Sequence, residues 1–313
     1  MSIKIRREMG KYEVIIIGGG PAGLTAGLYA SRSGLKSLLI ERGIFGGQIV
    51  NARQVDNYPG FPEGISGFEL ASLMHEQAVK YSLETMNGAV TAIKRGKTYS
   101  IITAERIFEA GAIIIAAGSE YRKLGVPGED EFVGRGVSYC ATCDGFLFRD
   151  QDVAVVGGGD TAITDALELG EHASKVYIIH RRNQLRAGKI LQQKALAQPK
   201  LEPVWNTVVE EIIGDSKVSC LNLRNVKTGE LSKLEVAGVF VAVGSEPNSQ
   251  CFADTIELDE AGFIKTNESM ATSSPGIFAA GDIRKGSPRQ VASAVGDGST
   301  AALSVFKYLR ETA

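Results

Sequence analysis

Two cysteines spaced as Cys-x-x-Cys, Cys140 and Cys143, form the most reactive unit in the sequence. Such a pair can be half of a zinc site, a redox-active disulfide or a purely structural pair, because each use needs two sulfur atoms held close together. A zinc site needs two more ligands, usually in a second close pair. Cys220 and Cys251 stand alone and the three histidines show no ligand spacing, so the sequence favours redox chemistry and no metal.

Asp144 directly follows this pair. A carboxylate at this position can give a proton to a departing thiolate or take one from an attacking thiol. The alternative interpretation is an ordinary turn residue before Gly145. We predict Cys140, Cys143 and Asp144 as the catalytic residues.

The turn Gly18-Gly19-Gly20-Pro21-Ala22-Gly23 matches the dinucleotide-binding fingerprint Gly-x-Gly-x-x-Gly. It lies between a predicted strand, Tyr12–Ile17, and a predicted helix, Leu24–Ser33, which is the context that the fingerprint requires. The first glycine permits a tight turn, the second lets the backbone approach a pyrophosphate, and the third lets the helix pack on the strand. Unpaired N–H groups and the helix dipole then attract the anion. Glu41, which ends the next predicted strand, would accept hydrogen bonds from the adenosine ribose.

A second fingerprint, Gly157-x-Gly159-x-x-Ala162, follows the strand predicted at Val153–Val156. Here the next strand ends in His180-Arg181-Arg182, so cations replace the acid. Arginines can bind a 2′-phosphate that an acid would repel, which favours NADPH over NADH. The alternative is a solvated basic turn. The predicted NADPH contacts are Gly157, Gly159, Asp160, Thr161, Ala162, His180, Arg181, Arg182 and Arg186.

Gly281 and Asp282 end a buried strand predicted near the C-terminus. In FAD enzymes this placement puts the carboxylate on the ribityl chain, and Arg289 with Gln290 would then meet the flavin ring. The alternative is a plain turn at a strand end. The FAD contacts predicted on these grounds are Gly18, Gly20, Pro21, Ala22, Gly23, Glu41, Gly281, Asp282, Arg289, Gln290 and Val291.

The elements that must position these residues form an internal repeat. The same number of residues separates Gly18 from Gly157 and Glu41 from His180, so two βαβ units stand in matched register. In each half, antiparallel strands and then a buried strand are predicted to follow. These strands are Val90–Phe108 and Ala112–Ala116 in the first half, and Trp205–Leu223, Leu231–Val236 and Val239–Val243 in the second. Helices are predicted at Phe68–Leu83 and Pro288–Leu309.

The order of these elements indicates one domain inserted into another. Residues 1–121 and 248–313 would form a discontinuous FAD-binding domain, and residues 122–247 an NADPH-binding domain that carries the cysteines. The fold class that follows is α/β, with two Rossmann-like domains of three layers each. The two chain crossings, near Ser119–Tyr121 and Ser245–Asn248, would form a two-stranded hinge.

Composition narrows the function classes. The chain has 313 residues, 44% of them hydrophobic, and a net charge of −2, which gives no sign of a nucleic-acid or membrane partner. No apolar run approaches the roughly 20 residues that span a bilayer. The basic start, Met1–Lys11, runs into the first fingerprint and is not expected to be a secretory signal. Four cysteines with one close pair suit a reducing cytoplasm.

Taken together, these motifs resemble the low-molecular-weight thioredoxin reductases, over nearly the whole chain. Cys-Ala-Thr-Cys-Asp-Gly (140–145), His-Arg-Arg (180–182) and Gly-Asp (281–282) carry the resemblance, with Gly46-Gly47-Gln48 and Asn57-Tyr58-Pro59-Gly60. It implies a homodimer, FAD and NADPH as cofactors, thioredoxin as the substrate and a large rotation between domains. The thiol next to the flavin would be Cys143. Further FAD contacts on these grounds are Gly47, Gln48, Asn57 and Gly118.

Other functions remain as alternatives. A ferredoxin–NADP reductase would lack the cysteine pair, and a reductase fed by ferredoxin would not need Arg181 and Arg182. A flavin-dependent enzyme that acts on another thiol partner or on a small-molecule dithiol stays open. A sensor that binds both nucleotides without turnover is disfavoured by the reactive pair.

Overall fold

A computed structural model of the chain describes residues 10–52 and 54–312. The expectation about a secretory signal falls mainly on residues 1–9, outside this part. The strands in chain order are β1 (Gly10–Ile17), β2 (Ser37–Glu41), β3 (Glu84–Asn87), β4 (Val90–Arg95), β5 (Tyr99–Thr103), β6 (Ile107–Ile115), β7 (Ser119–Tyr121), β8 (Val137–Ser138), β9 (Asp152–Gly157), β10 (Lys175–His180), β11 (Leu201–Trp205), β12 (Thr207–Gly214), β13 (Val218–Asn225), β14 (Leu231–Glu235), β15 (Gly238–Ala242), β16 (Ser245–Pro247) and β17 (Ile277–Ala279). The α-helices are α1 (Pro21–Arg32), α2 (Gly67–Val79), α3 (Ala141–Asp144), α4 (Asp160–Gly170), α5 (Lys189–Ala197) and α6 (Val291–Thr312).

The chain divides into two compact units. One, called here the discontinuous unit, comprises the chain up to Glu120 and from Glu246 onward. The other, called the inserted unit, runs from Tyr121 to Ser245. The chain crosses between them at β7 and β16, which pair with each other.

The discontinuous unit is built on a sheet in the order β3-β2-β1-β6, with β17 beside β6. These strands run parallel, whereas β5 and β4 continue from the first half of β6 as antiparallel strands. Alternate residues of β1 point to opposite faces. Val14 and Ile16 pack against α1 and α6 in the core on one face of the sheet. Ile15 and Ile17 pack in the core on the other face.

The inserted unit repeats this plan. Its parallel sheet has the order β11-β10-β9-β15-β8, so β9 and β10 occupy the places that β1 and β2 hold in the first sheet. Val153 and Val155 of β9 pack with α4, while Ala154 and Val156 pack against the antiparallel sheet β12-β13-β14. Each unit therefore has the α/β organisation that the sequence predicts.

Local signals set several helix ends. Helix α1 begins with Pro21, whose fixed φ suits the first helical position. Helix α2 begins at the N-cap residue Ser66, whose Oγ accepts a hydrogen bond from the Glu69 N–H at 3.2 Å. Among the described residues, no helix is long and apolar enough to cross a bilayer.

The predicted elements differ from the observed ones in a few places. The helix predicted to reach Leu83 ends at Val79, because Ser82 has a positive φ and the chain turns into the short strand β3. Phe108 lies in β6, where it pairs antiparallel with Ile101 of β5, as predicted, and also parallel with Gly10 of β1. Trp205 ends β11 and pairs in parallel with His180. The sequence also gave no indication of β3, β8 and α5, which are short or polar.

The core of the inserted unit generates a stability prediction. Leu221 on β13 is fully buried, whereas Leu231 on β14, in the same sheet, is 72% exposed. Leu221→Ala should lower the free energy of unfolding by about 2–5 kcal/mol, because it leaves a cavity. The matched change Leu231→Ala should alter it by less than about 0.5 kcal/mol. Urea unfolding monitored by circular dichroism measures both, and equal losses would contradict this description of the core.

Candidate active site: a disulfide and two nucleotide-binding turns

The first glycine turn joins β1 to α1 at very close range. Gly18 has φ +106°, and a Cβ there would lie 2.3 Å from the Ala116 carbonyl oxygen. A Cβ on Gly23 would lie 1.8 Å from the Gly18 carbonyl oxygen. Gly20, in contrast, has open space where its Cβ would be. Packing therefore requires Gly18 and Gly23, whereas Gly20 leaves the start of α1 accessible to an anion.

Glu41 lies beside this turn at the end of β2. Its carboxylate accepts hydrogen bonds from the Gly19 N–H at 2.5 Å and the Gly43 N–H at 2.6 Å. These bonds fix the carboxylate at the strand edge and leave lone pairs for further donors. This is the position from which an adenosine ribose would be bound.

Packing of small residues brings the C-terminal segment to the same turn. A Cβ on Gly281 would lie 2.9 Å from the Ala22 Cβ, and one on Gly298 of α6 would lie 2.2 Å from the Ala22 carbonyl oxygen. Helix α6 and the Gly281-Asp282 turn can approach α1 only because both glycines lack a side chain. Predicted site residues that are far apart in the sequence thus meet at the start of α1.

Asp282 is held in a desolvated position. Burial raises the pKa of its carboxyl, and the Ser287 hydroxyl, which donates to it at 3.1 Å, partly offsets that rise. A carboxylate in such a poorly solvated place gains from further hydroxyl donors. The ribityl chain of a flavin would supply such hydroxyls.

A buried ion pair fixes the turn that carries Asp282. Arg284 donates from Nε and Nη2 to the Asp297 carboxylate at 2.8 and 2.9 Å, and the Gly281 N–H donates to the same carboxylate at 3.0 Å. Two-pronged arginine–carboxylate bonding is directional, so it sets the orientation of the turn on α6. Neither Arg284 nor Asp297 was predicted as a site residue.

The remaining predicted flavin contacts surround the same region. The Asn57 amide donates to the Gln290 side chain at 3.0 Å. A Cβ on Gly47 would lie 3.2 Å from the Gly20 Cα, and the Gln48 amide donates to the Ser119 carbonyl. The structure thus gathers the following predicted residues in the discontinuous unit: Gly18, Gly20, Pro21, Ala22, Gly23, Glu41, Gly47, Gln48, Asn57, Gly118, Gly281, Asp282, Arg289, Gln290 and Val291.

The second turn, in the inserted unit, uses the same geometry with one change. A Cβ on Gly157 would lie 2.4 Å from the Ala242 carbonyl oxygen, and Gly159 again has open space. Ala162 stands where the first turn has Gly23, and its Cβ fits against Gly157 only because Gly157 has none. Gly158 lies on the buried His180 ring, which a Cβ would meet at 2.4 Å. The His180 ring therefore packs directly against the turn and supports it.

The arginine segment is tied to this turn through its backbone. The Arg186 and Ala187 N–H groups donate to the Gly158 carbonyl at 2.6 and 3.1 Å, and the Gly188 N–H donates to the Asp160 carboxylate at 2.7 Å. Within residues 10–52 and 54–312, the exposed Arg181, Arg182 and Arg186 make no ion pair.

These charges also act on His180. Burial, followed by the charges of Arg186 and Arg182, lowers the pKa of the His180 imidazole. Uncompensated guanidinium groups beside a helix start form a binding place for an anion such as a phosphate.

The cysteine pair forms a disulfide at the start of α3. Cys140 and Cys143 are joined with their Cα atoms 5.3 Å apart. The Cys143 N–H donates to the Cys140 Sγ at 3.2 Å. Burial raises the pKa of the adjacent Asp144 carboxyl, and a hydrogen bond from the Ser138 hydroxyl at 2.6 Å counteracts this rise. The disulfide thus lies next to a carboxyl group that keeps its proton to a higher pH than an exposed aspartate does.

A second acidic group contacts the cysteine segment from α4. The Thr142 hydroxyl donates to the Glu168 carboxylate at 3.0 Å. Asp165 lies one turn earlier on the helix. Burial, reinforced by the Glu168 charge, raises the pKa of Asp165 to about 7.

Sequence reasoning missed four residues that hold the site: Ser138, Glu168, Arg284 and Asp297. Each is distant in sequence from its partner or lies outside any motif, so only the fold brings the pair together. The one available signal was the polar Ser138 in an otherwise buried strand, two residues before Cys140.

Comparison with known proteins identifies the family. The sequence model of the pyridine nucleotide-disulphide oxidoreductase family matches residues 12–298. The chain is 49% identical to a thioredoxin reductase of Bacillus subtilis (strain 168) over 302 residues, which cover 96% of this chain and 95% of that protein. The chain belongs to the thioredoxin reductases of the pyridine nucleotide-disulphide oxidoreductase family.

Solved structures agree with this membership. The crystal structure of thioredoxin reductase from Streptococcus pyogenes MGAS5005 matches with a TM-score of 0.92 and 47% identity, covering 96% of this chain and 99% of that one. A thioredoxin reductase from Giardia duodenalis also matches with a TM-score of 0.92, at 35% identity over 96% of this chain and all of that one. The resemblance and fold predicted from sequence are confirmed, and the chain is a disulfide oxidoreductase that uses a flavin and a pyridine nucleotide.

Asp165 generates a pH-dependent prediction. Its folded pKa of about 7 lies above the ordinary value of 3.8, so the folded chain binds this proton more tightly than the unfolded chain. That contribution to stability is fully present below about pH 4 and is lost as the pH rises towards 7. Asp165→Asn should therefore stabilise the chain at pH 8, by on the order of a few kcal/mol, and make little difference at pH 4.

Thermal unfolding of the parent chain and of Asp165→Asn at both pH values tests this. The exposed Asp215 of the inserted unit offers a matched control, Asp215→Asn, for which the difference between the two pH values should be small. A gain in Asp165→Asn that is equal at pH 4 and pH 8 would show that burial does not shift this carboxyl.

Proposed function

We propose that this chain reduces the disulfide of a thioredoxin, with electrons from NADPH that pass through FAD and the Cys140–Cys143 pair. The observation that carries the proposal is the disulfide itself, set in the unit that also contains the second nucleotide-binding turn. Similarity to proteins named thioredoxin reductase supports the choice of thioredoxin as the substrate.

FAD is assigned to the discontinuous unit, residues up to about 121 and from about 248. The open start of α1 at Gly20 would receive the pyrophosphate, and Glu41 would accept from the ribose hydroxyls. Asp282 would accept from the ribityl hydroxyls, and Asn57 with Gln290 would contact the ring. When bound, FAD supplies a two-electron carrier between a nicotinamide and a disulfide.

NADPH is assigned to the inserted unit, about residues 122–247. Gly159 leaves the start of α4 open to a pyrophosphate, as Gly20 does in the other unit. The position that Glu41 occupies there is taken here by His180, with Arg181 and Arg182 next to it. Arg181, Arg182 and Arg186 have no ion pair among the described residues, and they would bind the 2′-phosphate that distinguishes NADPH from NADH.

The reduced cysteine pair would reduce thioredoxin by thiol–disulfide exchange. We assign the attack to Cys140, because the Cys143 N–H that points at its sulfur would stabilise a thiolate there. Attack on one sulfur of the substrate forms a mixed disulfide and releases the first substrate thiolate. Cys143 then attacks Cys140, which restores the Cys140–Cys143 disulfide and releases the second.

Asp144 would move the protons that this exchange requires. The raised pKa of its carboxyl lets it hold a proton at a higher pH than an exposed aspartate. It would give that proton to a sulfur when the Cys140–Cys143 disulfide is opened, and take one back when a thiol becomes the attacking thiolate. The Ser138 hydroxyl orients the carboxylate at 2.6 Å.

Dimerisation and a cytoplasmic location complete the proposal. The helices of the discontinuous unit expose large apolar side chains, which a second copy of the chain would cover. They are Tyr29, Phe68, Leu73 and Leu303. Two free cysteines beside a single cycling pair suit a reducing compartment, which supports the cytoplasm.

The choice of nucleotide is testable at Arg181 and Arg182. Charge-assisted hydrogen bonds contribute about 1.5–3 kcal/mol each, so the two should favour NADPH over NADH by at least about a hundredfold. Arg181→Ala with Arg182→Ala should raise the KM for NADPH by that factor and leave the KM for NADH nearly unchanged. Arg224→Ala, which removes an exposed arginine from another sheet of the same unit, is the control. A similar loss for both nucleotides would contradict the assignment.

The role of the pair is testable by single cysteine replacements. Cys140→Ser and Cys143→Ser should each reduce thioredoxin turnover by at least about a thousandfold, because exchange needs both an attacking and a resolving sulfur. Cys220→Ser and Cys251→Ser remove the two free cysteines and should retain activity. NADPH consumption with purified oxidised thioredoxin measures all four variants. Near-normal turnover in either variant of the pair would refute the proposal.

A further inference from the structure

Glu129 is a buried carboxylate that belongs to none of the motifs. It is 2% exposed, in a turn of the inserted unit that precedes β8. A buried charge needs several hydrogen bonds to persist. Glu129 accepts three, from the Leu124 N–H at 2.9 Å, the Gly125 N–H at 2.7 Å and the Tyr139 hydroxyl at 3.0 Å.

Tyr139, the third of these donors, directly precedes Cys140. Burial and then the hydrogen bond to Glu129 raise the pKa of the Tyr139 hydroxyl, so it keeps its proton and remains a donor throughout the physiological pH range. Its ring is stacked on Tyr121, with centroids 5.3 Å apart and planes at 16°. The hydroxyl and the ring of Tyr139 are therefore both engaged within the first residues of the inserted unit.

Side-chain bonds matter here because the strand that leads to the disulfide is very short. Strand β8 has only two residues, Val137 and Ser138, each paired with β15. The Ser138 hydroxyl donates a hydrogen bond to the Asp144 carboxylate, which follows the disulfide in the sequence. The Tyr139 hydroxyl donates one to Glu129. The segment that leads to Cys140 is therefore held by the Glu129–Tyr139 hydrogen bond as well as by the pairing of β8 with β15.

We propose that Glu129 is a positioning residue for the redox disulfide, which acts through the Tyr139 hydroxyl to hold the backbone of Cys140 where its sulfur reaches Cys143. A backbone held in this way favours the closed disulfide, because the separated thiols gain less freedom when the bond opens. Loss of the Glu129–Tyr139 hydrogen bond increases the conformational freedom of the dithiol form more than that of the disulfide form. The equilibrium then moves towards the dithiol.

The equilibrium with dithiothreitol measures this directly. Reduced dithiothreitol transfers two electrons and two protons to the Cys140–Cys143 disulfide, which opens to two thiols, and itself closes to a cyclic disulfide. The proposal rests on the proposed function only in treating this pair as the one that cycles. Because neither NADPH nor thioredoxin takes part, a failure here leaves the proposed function standing.

The experiment equilibrates the full-length, flavin-loaded chain with dithiothreitol mixtures of varied ratio. The fraction of the pair in the dithiol form is read by alkylation and mass spectrometry. Tyr139→Phe, which keeps the ring and removes only the hydroxyl, should shift the equilibrium constant about tenfold towards the dithiol, which is about 30 mV. Glu129→Leu, which removes the acceptor of the Tyr139 hydroxyl, should shift it in the same direction. The double variant should match Glu129→Leu alone, because the Tyr139 hydroxyl has already lost its acceptor there.

Two controls separate positioning from general loosening of the unit. Tyr177→Phe removes a hydroxyl from a tyrosine that packs against the same core cluster as Tyr139. Leu221→Ala destabilises that cluster and leaves both partners of the Glu129–Tyr139 hydrogen bond in the chain. Both should stay within about twofold of the parent chain. The proposal is overturned if Tyr139→Phe also stays within twofold, if Leu221→Ala shifts the equilibrium as far, or if the shifts of Tyr139→Phe and Glu129→Leu add.

Discussion

The close approach of a helix start to a strand end is the constraint on which both glycine turns depend. Around Gly18 and Gly23 the backbone of α1 passes so near the backbone of the preceding turn that a single methyl group would overlap a carbonyl oxygen. That proximity aims the free N–H groups of the helix at one place above the sheet. The same crowding between Ala22, Gly281 and Gly298 then admits α6 and brings Asp282 to the same helix start.

The two units differ in the charge that they place around a shared backbone plan. Strands β1 and β2 in one unit, and β9 and β10 in the other, have equivalent neighbours and parallel registers. At the end of the second strand, one unit presents the Glu41 carboxylate and the other a buried histidine, followed by arginines that make no ion pair within the described part of the chain. A carboxylate repels a 2′-phosphate and guanidinium groups attract it, so this one difference assigns a different nucleotide to each unit in the proposed function.

The parts of the site that could be predicted from sequence are those whose requirements are local. A glycine turn between a strand and a helix, a Cys-x-x-Cys pair, and the residue that ends a strand each depend on neighbours along the chain. The bonds from Arg284 to Asp297, from Thr142 to Glu168 and from Tyr139 to Glu129 depend on which elements pack together. The same applies to β3 and β8, whose few residues pair because a neighbouring strand is already in place.

The central claim is that the Cys140–Cys143 disulfide accepts electrons from NADPH within this chain. Anaerobic titration of the purified, FAD-loaded chain with NADPH, with parallel counting of free thiols, tests it most directly. A chain with two two-electron acceptors, the flavin and the disulfide, should take up two equivalents of NADPH and expose two new thiols, whereas Cys143→Ser should take up one and expose none. Uptake of a single equivalent by the parent chain, with no new thiols, would contradict the account.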